Sequence, residues 1–471
     1  MDRQGESHYY CATPACHSNI VRPLKNCPAA GLAAFLSSDS TRTMLDRKFI
    51  LGHPDLVKEN CRRRGVTCDI DRLIELEQQR AEQLQAAQDL NRQANEVSQS
   101  ISKASDDADR QQRIAQGRSL REQKDAAQKA HDELEAAILE ILKPIPNLTH
   151  PDVPVGGEDD ANEIALGKTP VPQFDFPARD HLELGRLHDL FDFEAGARVA
   201  GAGFYFLKNA AVRLDLALQH YAVTFLSSKG FTPVTTPDLA LTEILHGTGF
   251  TPRGPETQIY SIEDTELNLV ATAEITLGGM MAGQTIDSEQ LPIRLCGLSH
   301  CFRTEAGAAG RASKGLYRVH QFTKVEMFAF TTPEQSETVH EEMRSLECEL
   351  FDNLGVPYRV IDTASGDLGG PAYRKYDLEA WMPGRGDGGQ WGEVTSTSNC
   401  TDYQARRLNI RSKTAGQKGT QFVHTLNGTA IATGRAMIAI LENYQAADGS
   451  ITVPEVLRPL MGTDKLVPLQ A

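Results

Sequence analysis

The chain has 471 residues, 40% of them hydrophobic and 24% charged, and this length alone predicts two or three domains. Its 48 Lys and Arg against 63 Asp and Glu give a net charge of −15, which argues against a protein that coats nucleic acid with its whole surface. No run of roughly 18 apolar residues occurs, so we expect no membrane span and a soluble, cytoplasmic protein.

The first 43 residues show no lasting hydrophobic period. Asp2 and Glu6 do not suit a secretory signal, which needs a basic start and an apolar stretch. A mitochondrial transit peptide should be rich in Arg and poor in acidic residues, and it also fits poorly. We therefore expect residues 1–43 to be a disordered extension or a mis-assigned start, with translation beginning at Met44. Mass spectrometry that found a native peptide spanning 25–42 would contradict the second interpretation.

Two long helices are predicted next, from about 71 to 101 and over a second apolar ladder from 120 to 141. Apolar residues recur at heptad positions in both, which indicates a coiled-coil seam. The polar segment 102–110 is short enough for an antiparallel turn, and Pro144 ends the second helix. At 1.5 Å per residue each helix would be roughly 45–60 Å long, so we expect the hairpin to project as an arm.

The distal part of this arm, residues 103–129, carries seven basic and five acidic residues, a balance of +2 inside a chain of −15. One interpretation is a solvated coiled-coil face. The other is phosphate contact by the end of the arm.

The region after the arm divides into a linker and a second domain. Prolines crowd residues 144–177, which indicates an extended linker. Short strand-like runs follow with few helices between them, and this order predicts an α+β domain with an antiparallel sheet. We expect a helical domain over 44–150, a linker and lead-in segment over 151–180, and the α+β domain over 181–471. The strand-like runs are 267–271, 293–298, 319–330 and 357–362, and a helix is predicted over 210–229.

Charged residues stand at the ends of two predicted strands within 297–330. Arg303 and Glu305 are two residues apart at a strand end, a spacing that places both side chains on one face. Arg offers a planar fork for phosphate or carboxylate, although this pattern alone is also common in surface ion pairs. Lys324 and Glu326 lie in an otherwise apolar strand, where a charge is costly unless it is paired or faces a site.

Two later segments could also meet anions or cations. Gly434 and Arg435 are predicted at the start of an apolar helix, a place suited to anionic ligands, or they belong to an ordinary glycine-containing loop. Glu393 opens a hydroxyl-rich run through 399 that suits a hard cation such as Mg²⁺, or forms a solvated edge strand. Neither a phosphate loop nor a dinucleotide fingerprint is present, so an ATP site would be built from arginines and metal.

Taken together, these segments resemble class II aminoacyl-tRNA synthetases. The helix and proline of 217–237, the Phe-Arg-Thr-Glu of 302–305 and the Gly-Thr-Ala-Ile-Ala-Thr-Gly-Arg of 428–435 resemble the three signature motifs of that class. Within the class the chain resembles the seryl-tRNA synthetases, from Met44 to about Met461 and including the hairpin. The segments that carry this resemblance are 272–274, 320–328, 376–384, 395–407, 424–430 and 441–445.

The resemblance implies roles for individual residues in ATP binding. Arg303 would bind the α-phosphate and the seryl carboxylate, Glu305 would read the adenine amino group, and Arg435 would hold the γ-phosphate. These three are the expected catalytic residues, and Mg²⁺ would be held by Glu393 and Ser396. The full ATP-binding set implied is Arg303, Thr304, Glu305, Val319, Glu393, Val394, Thr395, Ser396 and Arg435.

The resemblance also implies the substrates and partners. L-serine would be attached to tRNA(Ser), with tRNA(Sec) as a further acceptor, through a seryl-adenylate made from ATP. The arm would bind the tRNA, and a homodimer would form through the 217–237 region. The serine-binding set implied is Thr272, Ala273, Glu274, Glu326, Asn427 and Thr429.

Two other functions fit parts of the chain. A ligase that loads an amino acid onto a carrier protein should lack the long arm, which residues 71–143 provide. A degenerate scaffold should have lost Arg303, Glu305 or Arg435, and all three are present.

Overall fold

The computed structural model describes residues 46–250, 258–305 and 315–469, so the expectation for residues 1–43 lies outside the described part. The predicted class is confirmed: an N-terminal pair of long helices precedes an α+β domain with a mainly antiparallel sheet. The helices are α1 Arg47–Gly52, α2 Pro54–Arg63, α3 Ile70–Ser100, α4 Asp107–Leu142, α5 His181–Leu187, α6 Phe193–Ala200, α7 Ala210–Ser228, α8 Thr242–Thr248, α9 Ala273–Gly279, α10 Ser336–Leu354, α11 Tyr403–Leu408, α12 Thr433–Asn443 and α13 Arg458–Met461.

The strands are mostly short, except for five that are nine or more residues long. They are β1 Asn162–Leu166, β2 Phe191–Asp192, β3 Phe206–Leu207, β4 Thr232–Thr235, β5 Leu239–Leu241, β6 Leu267–Leu269, β7 Thr285–Asp287, β8 Ile293–Phe302, β9 Gln321–Thr331, β10 Tyr358–Asp362, β11 Arg374–Met382, β12 Gln390–Asn399, β13 Arg411–Lys413, β14 Gln421–Phe422, β15 His424–Ala432, β16 Ile451–Thr452 and β17 Lys465–Leu466.

The arm consists of α3 and α4, which pack against each other and are joined by a short 3₁₀ turn at Ile101–Lys103. Helix α4 begins at Asp107, inside the segment predicted as the connection. The reason is a cap, because the Asp106 side chain accepts a hydrogen bond from the Asp109 backbone N–H at 2.8 Å. The distal seam buries only small side chains, Ala87, Ala94 and Ala127.

The base of the arm is fixed by an apolar cluster and a group of ion pairs. Large side chains from α1 to α4 are buried together there, among them Ile50, Leu73 and Ile138. Beside them Arg47 binds Glu77 at 3.2 Å and also binds Glu135. Since these contacts join the first helix to both arm helices, the arm leaves the domain in a defined direction.

The main sheet has eight strands in the order β1-β10-β11-β12-β15-β9-β8-β4, all antiparallel except the β4–β8 pair. Helices α7, α10 and α12 contribute to the large apolar core that includes this sheet. The neighbouring strands β12, β15, β9 and β8 carry or directly precede most of the residues singled out from the sequence. Register brings them close, since Glu326 is paired with Gly297 on one side and Thr429 on the other.

The helical domain and the sheet domain are joined by buried polar contacts. Arg64 is 2% exposed and donates to the backbone carbonyls of Ala372 at 3.0 Å and Gly369 at 2.6 Å. Asn147 donates to the carbonyls of Pro371 and Cys400. Within the described ranges, no helix is long and apolar enough to cross a membrane.

Candidate active site

A cleft lies against β9, β12 and β15, and Arg303, which directly follows β8, also lines it. Twelve of the fifteen residues assigned from the sequence line it together. They are Thr272, Arg303, Glu305, Val319, Glu326, Glu393, Val394, Thr395, Ser396, Asn427, Thr429 and Arg435.

Three assigned residues do not line the cleft. Ala273 is fully buried in the first turn of α9 and packs in a neighbouring apolar cluster. Thr304 donates its backbone N–H to the Gln258 carbonyl at 3.2 Å. Glu274 lies behind the wall, and its Oε1 accepts a hydrogen bond from Asn427 Nδ2 at 2.9 Å. Glu274 is therefore joined to the cleft through a lining residue.

One end of the cleft holds a buried ion pair among hydroxyl groups. Lys324 and Glu326, 5% and 2% exposed, form an ion pair. Lys324 Nζ also donates to Thr272 Oγ1 at 2.8 Å, and Thr429 Oγ1 donates to Glu326 Oε2 at 3.4 Å. This arrangement meets the requirement that a charge in an apolar strand be paired, and it leaves a polar pocket of carboxylate and hydroxyl oxygens.

The Glu274 carboxyl has an unusual acidity. Burial, followed by the nearby Glu326, raises the pKa of Glu274 to about 7, while the Gln404 amide opposes the rise. Gln404 Nε2 donates to Glu274 Oε1 at 2.6 Å and to the Thr248 carbonyl at 2.9 Å. Gln404 lies in the 395–407 segment but was not predicted as a site residue, because nothing local in the sequence shows that its amide faces a carboxyl 130 residues away.

Arg303 and Glu305 both line the cleft, but the expected strand alternation is not the reason. Strand β8 ends at Phe302, and Glu305 adopts a left-handed φ of +48°. A left-handed residue does not follow the period of two on which that prediction depended. The guanidinium of Arg303 instead lies over the Phe322 ring, 5.2 Å from its centroid.

The other end of the cleft is formed by Arg435 and Glu393. Gly434 and Arg435 lie in the first turn of α12, where the sequence predicted them. Arg435 Nη1 lies 3.1 Å from Glu393 Oε2 and 3.0 Å from the Glu393 carbonyl oxygen. Burial alone would raise the pKa of Glu393, but the charges of Arg435 and Lys375 outweigh it and lower that pKa. Glu393 is thus held as a carboxylate beside a fixed cation.

Several lining residues were missed because they are aromatic or aliphatic and carry no charge pattern. Tyr317 lies under the Arg435 guanidinium at 4.6 Å, and Leu316 and Phe322 complete the walls. Arg318, whose Nη1 is 3.5 Å from Glu305 Oε2, could have been noticed as a further cation beside the predicted strand.

The suitability of the site for Mg²⁺ depends on what binds with it. In the described residues, no group of three or more His, Cys, Asp or Glu could hold a metal by itself. Glu393 and Ser396 offer one carboxylate and one hydroxyl at the cleft wall. Mg²⁺ commonly takes one or two carboxylates together with substrate phosphates and water. The residues therefore fit a metal shared with phosphates and do not form a closed protein site.

Comparisons with known proteins agree with this geometry. Residues 259–444 match the family model of the tRNA synthetase class II core domain (G, H, P, S and T), and residues 44–149 match the seryl-tRNA synthetase N-terminal domain. A serine--tRNA ligase of Rhodopirellula baltica is 74% identical over 423 residues, covering 90% of this chain and 99% of the relative. One of Treponema denticola is 53% identical, covering 90% of this chain and all of the relative.

Solved structures give the same result. The seryl-tRNA synthetase of Pyrococcus horikoshii complexed with ATP has a TM-score of 0.82 at 38% identity, covering 90% of this chain and 100% of that one. The cytoplasmic serine-tRNA ligase of Naegleria fowleri in complex with AMP has a TM-score of 0.77 at 31% identity, covering 92% of this chain and 99% of that one.

Proposed function

Because the chain belongs to the seryl-tRNA synthetase family and joins serine to tRNA with ATP as a substrate, we propose that its cleft carries out the activation step, forming seryl-adenylate. The observation that carries the proposal is the continuity of one cleft. It has a buried pocket of acidic and hydroxyl groups at one end and an arginine anchored to a carboxylate at the other, with Arg303 also lining it.

Serine is assigned to the end that contains Glu326. Its ammonium and hydroxyl groups need acceptors, and Glu326 and Thr429 supply them, with Thr272 and Asn427 beside them and the Glu274 carboxyl behind Asn427. A site that hydrogen-bonds a substrate hydroxyl rejects analogues that lack it by factors on the order of 10⁴. This difference would separate serine from alanine without an editing domain.

ATP is assigned to the end that contains Arg435, with adenine beside Glu305 and Val319. A serine carboxylate oxygen attacks the α-phosphorus, a new P–O bond forms, and the bond to the bridging oxygen breaks to release pyrophosphate. Arg303 and Arg435 stabilise the charge that develops on the phosphates, and no side chain is needed as a covalent nucleophile. Mg²⁺, when held by Glu393 and Ser396 together with the phosphates, would neutralise further phosphate charge.

We assign tRNA recognition to the arm, with tRNA(Ser) as the acceptor. The support is its length and the local excess of basic residues over 103–129. We also propose a homodimer through the 217–237 region, and exposed apolar side chains in the elements that directly precede this region support it. They are Val199, Phe206, Val212 and Leu216. The cytoplasmic location stays a prediction from the sequence.

Serine-dependent ATP–pyrophosphate exchange, followed by charging of tRNA(Ser), tests the proposal. We expect both reactions, with alanine giving no exchange at equal concentration. Exchange without charging would instead favour a carrier-protein ligase, and absence of exchange would favour a scaffold.

A further inference from the structure

His181, the first residue of α5, is a buried imidazole next to the ATP end of the cleft. It is 6% exposed and lines a second cavity, which shares Tyr317 with the cleft. Its Nδ1 lies 3.0 Å from Glu442 Oε1. Since a carboxylate only accepts, Nδ1 carries the proton and Nε2 is left as an acceptor.

The carboxylate that orients this ring is itself held by backbone donors. Glu442 is 1% exposed, and it accepts the His181 backbone N–H at 3.0 Å and the Gly384 backbone N–H at 2.9 Å. The ring is therefore fixed in both orientation and tautomer by a neighbour that has little freedom to move.

The Nε2 side of the His181 ring contacts the backbone of Gly315 and Leu316 at the edge of the cleft. The Leu316 backbone N–H donates to His181 Nε2 at 3.4 Å, a long hydrogen bond. A Cβ atom at Gly315 would lie only 2.1 Å from the same nitrogen, and Gly315 has a φ of +65°. The backbone approach is thus so close that only glycine fits, which is independent support for a built contact.

Tyr317, the residue that follows Leu316, connects this contact with Arg435. The Tyr317 carbonyl accepts from Arg435 Nε at 3.4 Å, and the Tyr317 ring lies between Arg385 and Arg435, 4.4 and 4.6 Å from its centroid. Arg435 and Glu442 lie on the same helix, α12, about two turns apart and so on the same side. These contacts therefore form a closed ring. It runs from Arg435 along α12 to Glu442, then to His181 and Leu316, and back to Arg435 through Tyr317.

We propose that His181 is a positioning residue for ATP: through Nε2 it holds Leu316 and Tyr317 so that Arg435 presents its guanidinium to the phosphates. This inference rests on the proposed function, which assigns Arg435 to ATP. His181 touches no reacting atom itself. Its loss should therefore act on ATP binding and leave serine binding, at the opposite end of the cleft, unaffected.

Two substitutions of His181 distinguish the role of Nδ1 from the role of Nε2. His181→Asn keeps an amide donor near the Nδ1 position for Glu442 but removes the acceptor for Leu316, whereas His181→Gln extends an amide carbonyl toward the Nε2 position. In pyrophosphate exchange we expect His181→Asn to raise the KM for ATP about fivefold, the effect of one lost hydrogen bond, with the KM for serine unchanged. His181→Gln should recover most of the loss.

His188 offers a matched control at the opposite end of the same helix. It is also buried, and its Nε2 lies 2.8 Å from the carbonyl oxygen of Gly449, a residue that does not line the cleft. His188→Asn should lower the melting temperature without changing the KM for ATP. The proposal is overturned if His181→Asn and His181→Gln behave alike, if the KM for serine rises equally, or if only the active fraction falls.

Arg435→Ala distinguishes this inference from the proposed function. If it raises the KM for ATP and His181→Asn does not, the positioning role alone is wrong. If Arg435→Ala leaves the KM for ATP unchanged, the assignment of Arg435 to ATP fails and the inference fails with it.

Discussion

Serine recognition by Glu274 is expected to depend on pH, because burial and the nearby Glu326 raise the pKa of Glu274 to about 7. Below that value the carboxyl is protonated, and the negative charge that Glu274 places behind Asn427, on the side of the cleft assigned to the serine ammonium, is lost. From pH 6 to pH 8 the ionised fraction rises about tenfold, so kcat/KM for serine in exchange should rise about tenfold and then level off. Glu274→Gln should remove this rise. A profile in the wild type that is flat over this range would contradict it.

Arg303 should matter more for the chemical step than any other lining residue outside the Arg435 end, because it lies between the two assigned substrates. Arg303→Ala is expected to lower the exchange rate about 10²–10³-fold, as when one charge-stabilising donor is lost. Arg294→Ala is the matched control: Arg294 lies on β8, the strand that Arg303 directly follows, but it pairs with Glu342 at 2.7 Å and does not line the cleft. Arg303→Ala exchange within tenfold of wild type would contradict the role.

Among the site residues, those that could be predicted from the sequence are charged or belong to a recognisable motif. Arg303, Glu326 and Arg435 stand out in the sequence because a charge in an apolar strand or at a helix start needs a reason. Tyr317 and His181 do not stand out, because their importance comes from what long-range packing brings against them. Strand alternation was the wrong basis for placing Glu305, because this residue has a left-handed backbone conformation that the spacing of side chains does not reveal.

The arm is the element whose role can be separated from the cleft. Its base shares buried side chains with α1 and α2, whereas residues 84–128 bury only alanines among the apolar side chains. Replacing 84–128 by a short Gly-Ser turn should therefore leave the base folded. We expect exchange to stay near wild type and tRNA charging to fall at least about a hundredfold, equivalent to about 2.7 kcal/mol.

Both activities must be measured on the same preparation of the shortened protein. Normal charging would show that the arm is not the tRNA-binding element. Equal loss of exchange and charging would show that the shortening had damaged the cleft, and a change of the melting transition would accompany it.

Element prediction was most successful where the hydrophobic period was long. The heptads predicted both arm helices, and only the start of α4 was misjudged, because the Asp106 cap begins the helix earlier than the apolar ladder does. Short elements such as β4 were not predicted. Its parallel pairing with β8 joins residues about 60 positions apart, which no local period encodes.

At the scale of the whole molecule, the proposed homodimer predicts a mass of about twice 51.6 kDa by light scattering. Leu216 on α7 is 58% exposed and directly precedes the expected 217–237 interface, so Leu216→Glu should give monomers by placing a charge at its edge. Leu56→Glu, at a comparably exposed leucine on α2, should leave the mass unchanged. A wild-type monomer at micromolar concentration would contradict the dimer.

The overall acidity of the chain bears on how it selects RNA. A net charge of −15 disfavours indiscriminate RNA binding, and the distal arm, with its local balance of +2, is the exception. This division could be predicted from the sequence, whereas the meeting of three strands and α12 at one cleft depends on the strand order of the sheet.

The central claim is that one cleft holds serine and ATP together, and a crystal structure with a non-hydrolysable seryl-adenylate analogue tests it most directly. The account predicts the seryl group beside Thr272, Glu326 and Thr429, and the adenine beside Glu305 and Val319. An analogue bound elsewhere, or bound with these two ends reversed, would contradict it.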